Sequence, residues 1–140
     1  MSTYQARLAE VVRRDPRYSY EAYEFVFAAL SYTQKMLGRA PAPVEEAAAA
    51  GPEHHVSGRE LVHGIRALAT REFGLMARIV FRTWGIKRTD DFGEIVFNLV
   101  EENLMSKTDQ DCRNDFHDIF DLDKALVDDF RIELDEVEWP

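Results

Sequence analysis

Apolar residues recur along this chain at steps of three and four, interrupted by prolines, glycines and short polar stretches, a pattern that predicts helices. Residues 3–14 read as a short amphipathic helix on Ala6, Leu8, Val11 and Val12. It ends at "RDPRYSY", because Pro16 lacks an amide proton and disfavours helix at Asp15. The stretch "YEAYEFVFAALSYTQKML" follows as a strong helix, with Ala22, Val26, Ala29 and Leu30 inward, Lys35 in the last turn and Gly38 as its stop. Ser57 and Glu60 form an S-x-x-E capping box that opens a run to Trp84. Leu61, Val62, Ile65, Leu68, Met76, Ile79 and Val80 give that run a wide apolar arc, which predicts a central, largely buried helix; Gly74 is the place where it would break in two. After Gly85, Thr89, Asp90 and Asp91 open a further helix with Phe92, Ile95, Val96, Phe97, Leu99 and Val100 facing inward.

Two stretches lack this periodicity. Residues 39–56, "RAPAPVEEAAAAGPEHHV", are rich in alanine and proline and predict a surface loop rather than a domain boundary, since the residues before it are too few for a core of their own. Beyond Leu104, "DFHDIFDL" suits either a strand of a small hairpin or two short helical turns. "FRIELDEVEW" alternates Phe130, Ile132 and Leu134 and predicts an edge strand or extended arm over 130–140. The expected fold is therefore mainly α: a single compact helical domain over residues 1–140, with room for a short β-hairpin or C-terminal strand in a winged-helix-like outline. An all-α bundle is the alternative.

Composition narrows the class. With 31% charged residues and no apolar run near the roughly 20 residues that span a bilayer, the expectation is a soluble protein. The N-terminal stretch has no apolar core followed by a small-residue cleavage site, so no signal peptide is expected. The one cysteine, Cys112, has no partner for an internal disulfide, so the expected compartment is the cytoplasm. The net charge of −9 is unevenly spread: residues 57–88 carry seven basic and two acidic side chains, residues 89–140 four and seventeen. Such a split steers partners or holds one part of the molecule against another.

The words "YEAYEFVFAALSYT" and "HVSGRELVHGIRALATREFGLMARIVFRTWGIKRTDDFGEIVFNLVEENLMSKTDQDCRNDF" carry a match that runs from about Tyr18 to Asp123. In these words the chain resembles a family of small uncharacterised proteins of planctomycete and verrucomicrobial bacteria. The resemblance implies a bacterial protein and brings with it no activity, cofactor or catalytic residue.

Helix, turn, helix and a polar tail around Trp84–Asp111 sketch a DNA reader. A recognition helix needs a neutral or basic outer face, however, and the helix after the turn carries Asp90, Asp91, Glu94, Asn98, Glu101 and Glu102 there. Those six residues are instead candidates for binding a basic protein partner. The alternative is nucleic-acid binding through the arginine-rich 57–88 segment, with Arg59, Arg66, Arg71, Arg78, Arg82, Lys87 and Arg88 on phosphates; pairing of these cations with the acidic C-terminal half is the simpler expectation. The five tyrosines, all within residues 1–32, read as core and rim packing with wet hydroxyls. Glu60 and His63 have E-x-x-H spacing and His54–His55 stand nearby, but a di-iron bundle needs a second such motif. The aspartate pairs Asp109/Asp111 and Asp121/Asp123 do not fit a twelve-residue calcium loop, and acids around Cys112 disfavour a thiolate. No phosphate loop, dinucleotide glycine pattern or serine elbow occurs. The expectation is a non-enzymatic protein–protein interaction or regulatory module. It needs no metal or cofactor, has a protein partner, and involves neither membrane nor nucleic acid.

Overall fold

The computed structural model describes residues 3–38, 56–105 and 113–128, and these are mainly helical. Helix α1 spans Thr3–Arg14, α2 Tyr20–Met36, α3 Gly58–Phe73, α4 Ala77–Thr83 and α5 Thr89–Glu101. A three-residue 3-10 turn, Gly74–Met76, joins α3 to α4, and short turns at Arg113–Phe116 and Lys124–Asp128 complete the described chain.

Local chemistry accounts for the boundaries. The Ser19 hydroxyl accepts the Ala22 amide at the start of α2, and Gly38, at φ +72°, ends it. At α3 both halves of the capping box form: Ser57 Oγ accepts the Glu60 amide at 3.1 Å, and Glu60 Oε1 accepts the Ser57 amide at 2.9 Å. Arg88 takes the N-cap position of α5, and Asp91 reaches back to accept the amides of Lys87 (2.8 Å) and Arg88 (3.0 Å).

All five helices contribute to one apolar core. Helix α2 packs on α1, α3 and α5 and buries three consecutive residues, Phe25, Val26 and Phe27, so it shares the centre of the fold with α3. Phe25 meets Phe73, Phe81 and Trp84 with ring centroids 5.5–5.6 Å apart, tying α2 to the α3–α4 end. Phe116 wedges between α3 and α5, against glycines where an added Cβ would lie 2.9 Å (Gly58) and 3.0 Å (Gly93) from its ring.

The 57–84 run is three pieces, and the break falls at Gly74, where the sequence places it; the expectation that changes is the burial of its whole apolar arc. Gly74 adopts φ +54°, ψ −134°, a conformation costly for any residue with a Cβ, and the tighter 3-10 turn after it rotates the following face. Met76 and Ile79, expected in the core, consequently lie outside it. Of the two readings of 115–122, helical turns form rather than a strand, and no strand occurs among the described residues. The predicted loop over 39–56, apart from the buried Val56, and the predicted arm over 130–140 lie outside the described residues.

Candidate functional site

The polar face of α5 is a seam inside the molecule. Asp91 accepts the Tyr18 hydroxyl at 2.6 Å as well as the two amides at the helix start. Asn98 donates to Asp15 at 2.8 Å and to the Tyr23 hydroxyl at 3.0 Å. Glu94 lies 3.5 Å from Arg17, Glu102 pairs with Arg14 at 2.7 Å, and the Glu102 carbonyl accepts from Arg7. Asp90 receives His117 Nδ1 at 2.7 Å and the Asp118 amide at 3.2 Å. The expected open row of carboxylates is thus corrected: of the six candidates, Asp90, Asp91, Glu94, Asn98 and Glu102 are half-buried and partnered by α1, the 15–19 segment, α2 and the 117–118 turn, and Glu101 alone is exposed. The tyrosine reading changes with it, because Tyr18 and Tyr23 are buried with their hydroxyls spent on the seam rather than wet.

The electrostatics follow the geometry. Hydrogen bonds from Arg17, aided by Asn98, hold the Asp15 carboxyl well below the usual carboxylate range against the opposing effect of burial. Burial, reinforced by the bond to Asp91, pushes the Tyr18 hydroxyl well above its ordinary value, so it stays a donor. Burial raises Asp90, but the bonds from His117 and the Asp118 amide outweigh it and leave the carboxyl lowered. His117 is raised by its hydrogen bond to Asp90.

The basic candidates do not form one stripe. Arg59, Arg71, Arg82, Lys87 and Arg88 are exposed. Arg66 is half-buried with its guanidinium 5.5 Å from the centre of the Phe120 ring. The Arg78 side chain is only 12% exposed, pairs with Asp123 and donates to the Ile86 carbonyl at 3.2 Å. That inward arginine and the break at Gly74 interrupt the row.

A cleft of about 350 Å³ opens at the start of α5 between Arg78, Lys87, Arg88, Asp90, His117 and Asp123. Two charge pairs form within the wall, Arg78 with Asp123 and His117 with Asp90. The Thr89 hydroxyl beside them is also occupied, donating to the Phe116 carbonyl at 2.8 Å and accepting the Ile119 amide at 3.1 Å. The metal candidates disperse in the same way. Glu60 serves the α3 cap, His63 stacks near Phe120 at 5.8 Å, and Asp121 accepts the Lys124 amide at 3.0 Å. Among the described residues no group of three or more His, Cys, Asp or Glu side chains is placed to hold a metal ion. His54, His55, Asp109, Asp111 and Cys112 lie outside the described residues.

What the periodicity missed is an apolar patch at the α3–α4 break. Leu75, Met76 and Ile79 are 54%, 55% and 52% exposed, and Val127, at 44%, belongs to the C-terminal turn that packs against both the 3-10 turn and α4. Four large apolar side chains half in water on adjoining elements make a patch of the kind that is often functional on a monomer. The sequence signal was Gly74 between two apolar runs, which marks a change of phase as readily as a close contact.

No family model matches the chain, and no match is found among curated proteins or solved structures. No helix among the described residues is long and apolar enough to cross a membrane.

Proposed function

We propose that this protein is a non-enzymatic protein–protein interaction or regulatory module, and that its contact surface is the apolar patch of Leu75, Met76, Ile79 and Val127. The patch carries the reading: apart from Met36 and Leu37 at the end of α2, the exposed large apolar side chains among the described residues gather on these adjoining elements, and such a patch is often a contact surface. The carboxylates of α5 serve a different end in this reading, since internal bonds already hold them. A cytoplasmic location belongs to the same reading and is supported by the single cysteine. The resemblance to the bacterial family adds no activity to it.

The test is a pair of captures from lysate at moderate salt, one with the wild-type chain and one with Met76→Ser/Ile79→Ser, after thermal melts show that both are equally stable. A partner held by the wild type and lost by the double variant is the expected result. An identical set of captured proteins sinks the reading.

A second reading, nucleic-acid binding through Arg59, Arg71, Arg82, Lys87 and Arg88, is favoured by their exposure. It predicts saturable binding of short labelled DNA or RNA that weakens steeply with salt, read by fluorescence anisotropy.

A further inference from the structure

We infer that the apolar patch at the α3–α4 break is a docking site for the chain's own segment Phe130–Trp139, which makes it a self-occupied and therefore regulated surface. The inference deepens the proposed function and rests on reading the patch as a contact surface. Three observations support it.

The first is reach. Val127 is part of the patch, and three residues of chain extend at most about 10 Å, so Phe130 begins within that distance of it. The second is chemistry. In "FRIELDEVEW" the apolar residues Phe130, Ile132 and Leu134 alternate with polar ones, so an extended segment would place all three on one face. Residues 129–138 carry five acids and one arginine. On the receiving side, exposed Arg71 stands one turn before Leu75 and exposed Arg82 one turn beyond Ile79, with Glu72 the single acid from 71 to 82. Apolar meets apolar at the centre and anion meets cation at the rim, the arrangement that sets register at an interface.

The third is area. Four side chains about half exposed offer on the order of a few hundred Å², well short of the roughly 800 Å² per partner that a stable interface between separate chains buries. Any separate chain, a second copy included, must therefore add contacts beyond this patch to bind stably. A tethered segment meets the patch at high effective concentration and needs far less area to stay there.

The experiment uses the full chain with Cys112→Ser and Val137→Cys, a nitroxide on the new cysteine and isotope-labelled methyl groups. The expected result is strong, selective broadening of the Leu75, Met76 and Ile79 methyl signals, with Met36 and Leu37 at the far end of α2 little affected. Chemical reduction of the nitroxide should restore the signals. Phe130→Ser/Ile132→Ser in the same chain should reduce the broadening to the weak, unselective level that tethering alone gives, and higher salt should weaken it. Equal broadening at both ends of the molecule, or none, overturns the inference. So does broadening that arises only when spin-labelled chains are mixed with separately isotope-labelled ones, which would assign the patch to a second copy. The readout needs no outside partner, so a failed lysate capture and a failed docking experiment remain distinguishable.

Discussion

The seam along α5 and the break between α3 and α4 treat their side chains in opposite ways. In the seam, charged and hydroxylic groups are drawn half out of water and bonded to partners far along the chain: Tyr18 to Asp91, Asn98 to Asp15 and Tyr23, Arg14 to Glu102. At the break, Leu75, Met76 and Ile79 stay in water although each could have served a core. A hydrogen bond to a charged group contributes about 1.5–3 kcal/mol only where its geometry is held, so the seam fixes how α1, α2 and α5 sit together. An apolar side chain left exposed contributes nothing to folding and keeps about 25 cal/mol per Å² in reserve for whatever covers it. The seam sets the shape, and the break leaves apolar area uncovered by the rest of the described chain.

The sharpest way to break the seam is to remove the close approach on which it is seated. Gly85 lies at φ +93°, and an added Cβ would stand 2.0 Å from the Arg17 carbonyl oxygen, in the segment that carries Asp15, Arg17 and Tyr18. Gly85→Ala combines an unfavourable backbone conformation with a clash against main chain, which no rotamer change relieves. We expect a loss of about 4 kcal/mol or more in urea unfolding. A loss below about 1 kcal/mol would show that the 15–19 segment can lift away freely.

The contrast in apolar burial is tested with one residue type at two positions. Ile65 is fully buried and Ile79 is 52% exposed. Ile65→Ala is expected to cost about 2–5 kcal/mol, and Ile79→Ala about 0.5 kcal/mol or less once Ile132→Ser has undocked the C-terminal segment, measured by the same denaturant titration. Similar costs for the two without Ile132→Ser would mean that Ile79 is covered in solution, and comparison with the chain carrying it would then show whether the C-terminal segment does the covering.

Within the seam, Asp91→Ala removes the acceptor for two amides and for the Tyr18 hydroxyl at once. The expected cost is about 2–3 kcal/mol, part of it the desolvation of a buried phenol left without a partner. Tyr18→Phe in that background should cost little more, giving a coupling of about 1 kcal/mol or more in a double-mutant cycle. Strict additivity would mean that the 2.6 Å contact holds nothing together.

How far these regions were legible in the sequence depends on how far away their partners are. The starts of α2, α3 and α5 are written locally, in Ser19, in the Ser57–Glu60 box and in Asp91, and the helical core follows from period alone. The α5 face looks open in the sequence because periodicity shows which side of a helix is polar, not what packs against it. Tyr18, Asp15 and Arg14 lie more than 70 residues from their partners, a distance no local pattern spans. The exposed patch is hidden for a different reason: Gly74 marks a break, but the apolar count alone does not show that one residue of positive φ and a short 3-10 turn reset the phase there. A phase count restarted at Gly74 separates Met76 and Ile79 from the arc of α3.

The smallest expected effect lies at the edge of the seam, where Asp90 and His117 tie the 117–118 turn to the start of α5. His117 is 61% exposed, so the tie is weak and screened by salt, but its pH dependence has a definite sign. A histidine raised above its ordinary 6.5 contributes stability that is fully present below that value and fades as the pH climbs through the folded one. A carboxyl lowered below its ordinary 3.8 contributes stability that is present above that value and fades as the pH falls through the folded one. The tie is therefore fully formed between these two limits, in a setting where Lys87, Arg88, Asp118, Asp121 and Asp123 also line the cleft. Thermal melts from pH 5 to 9 should show the wild type losing more of its midpoint above pH 6.5 than His117→Gln does, the two curves converging as the histidine discharges. Asp90→Asn should remove the same difference, because an amide leaves His117 with no anion to raise it. If the wild type and His117→Gln run parallel across that range, the imidazole adds no stability and the turn is held on α5 by its other contacts, Phe116, Thr89 and the Asp118 amide on Asp90.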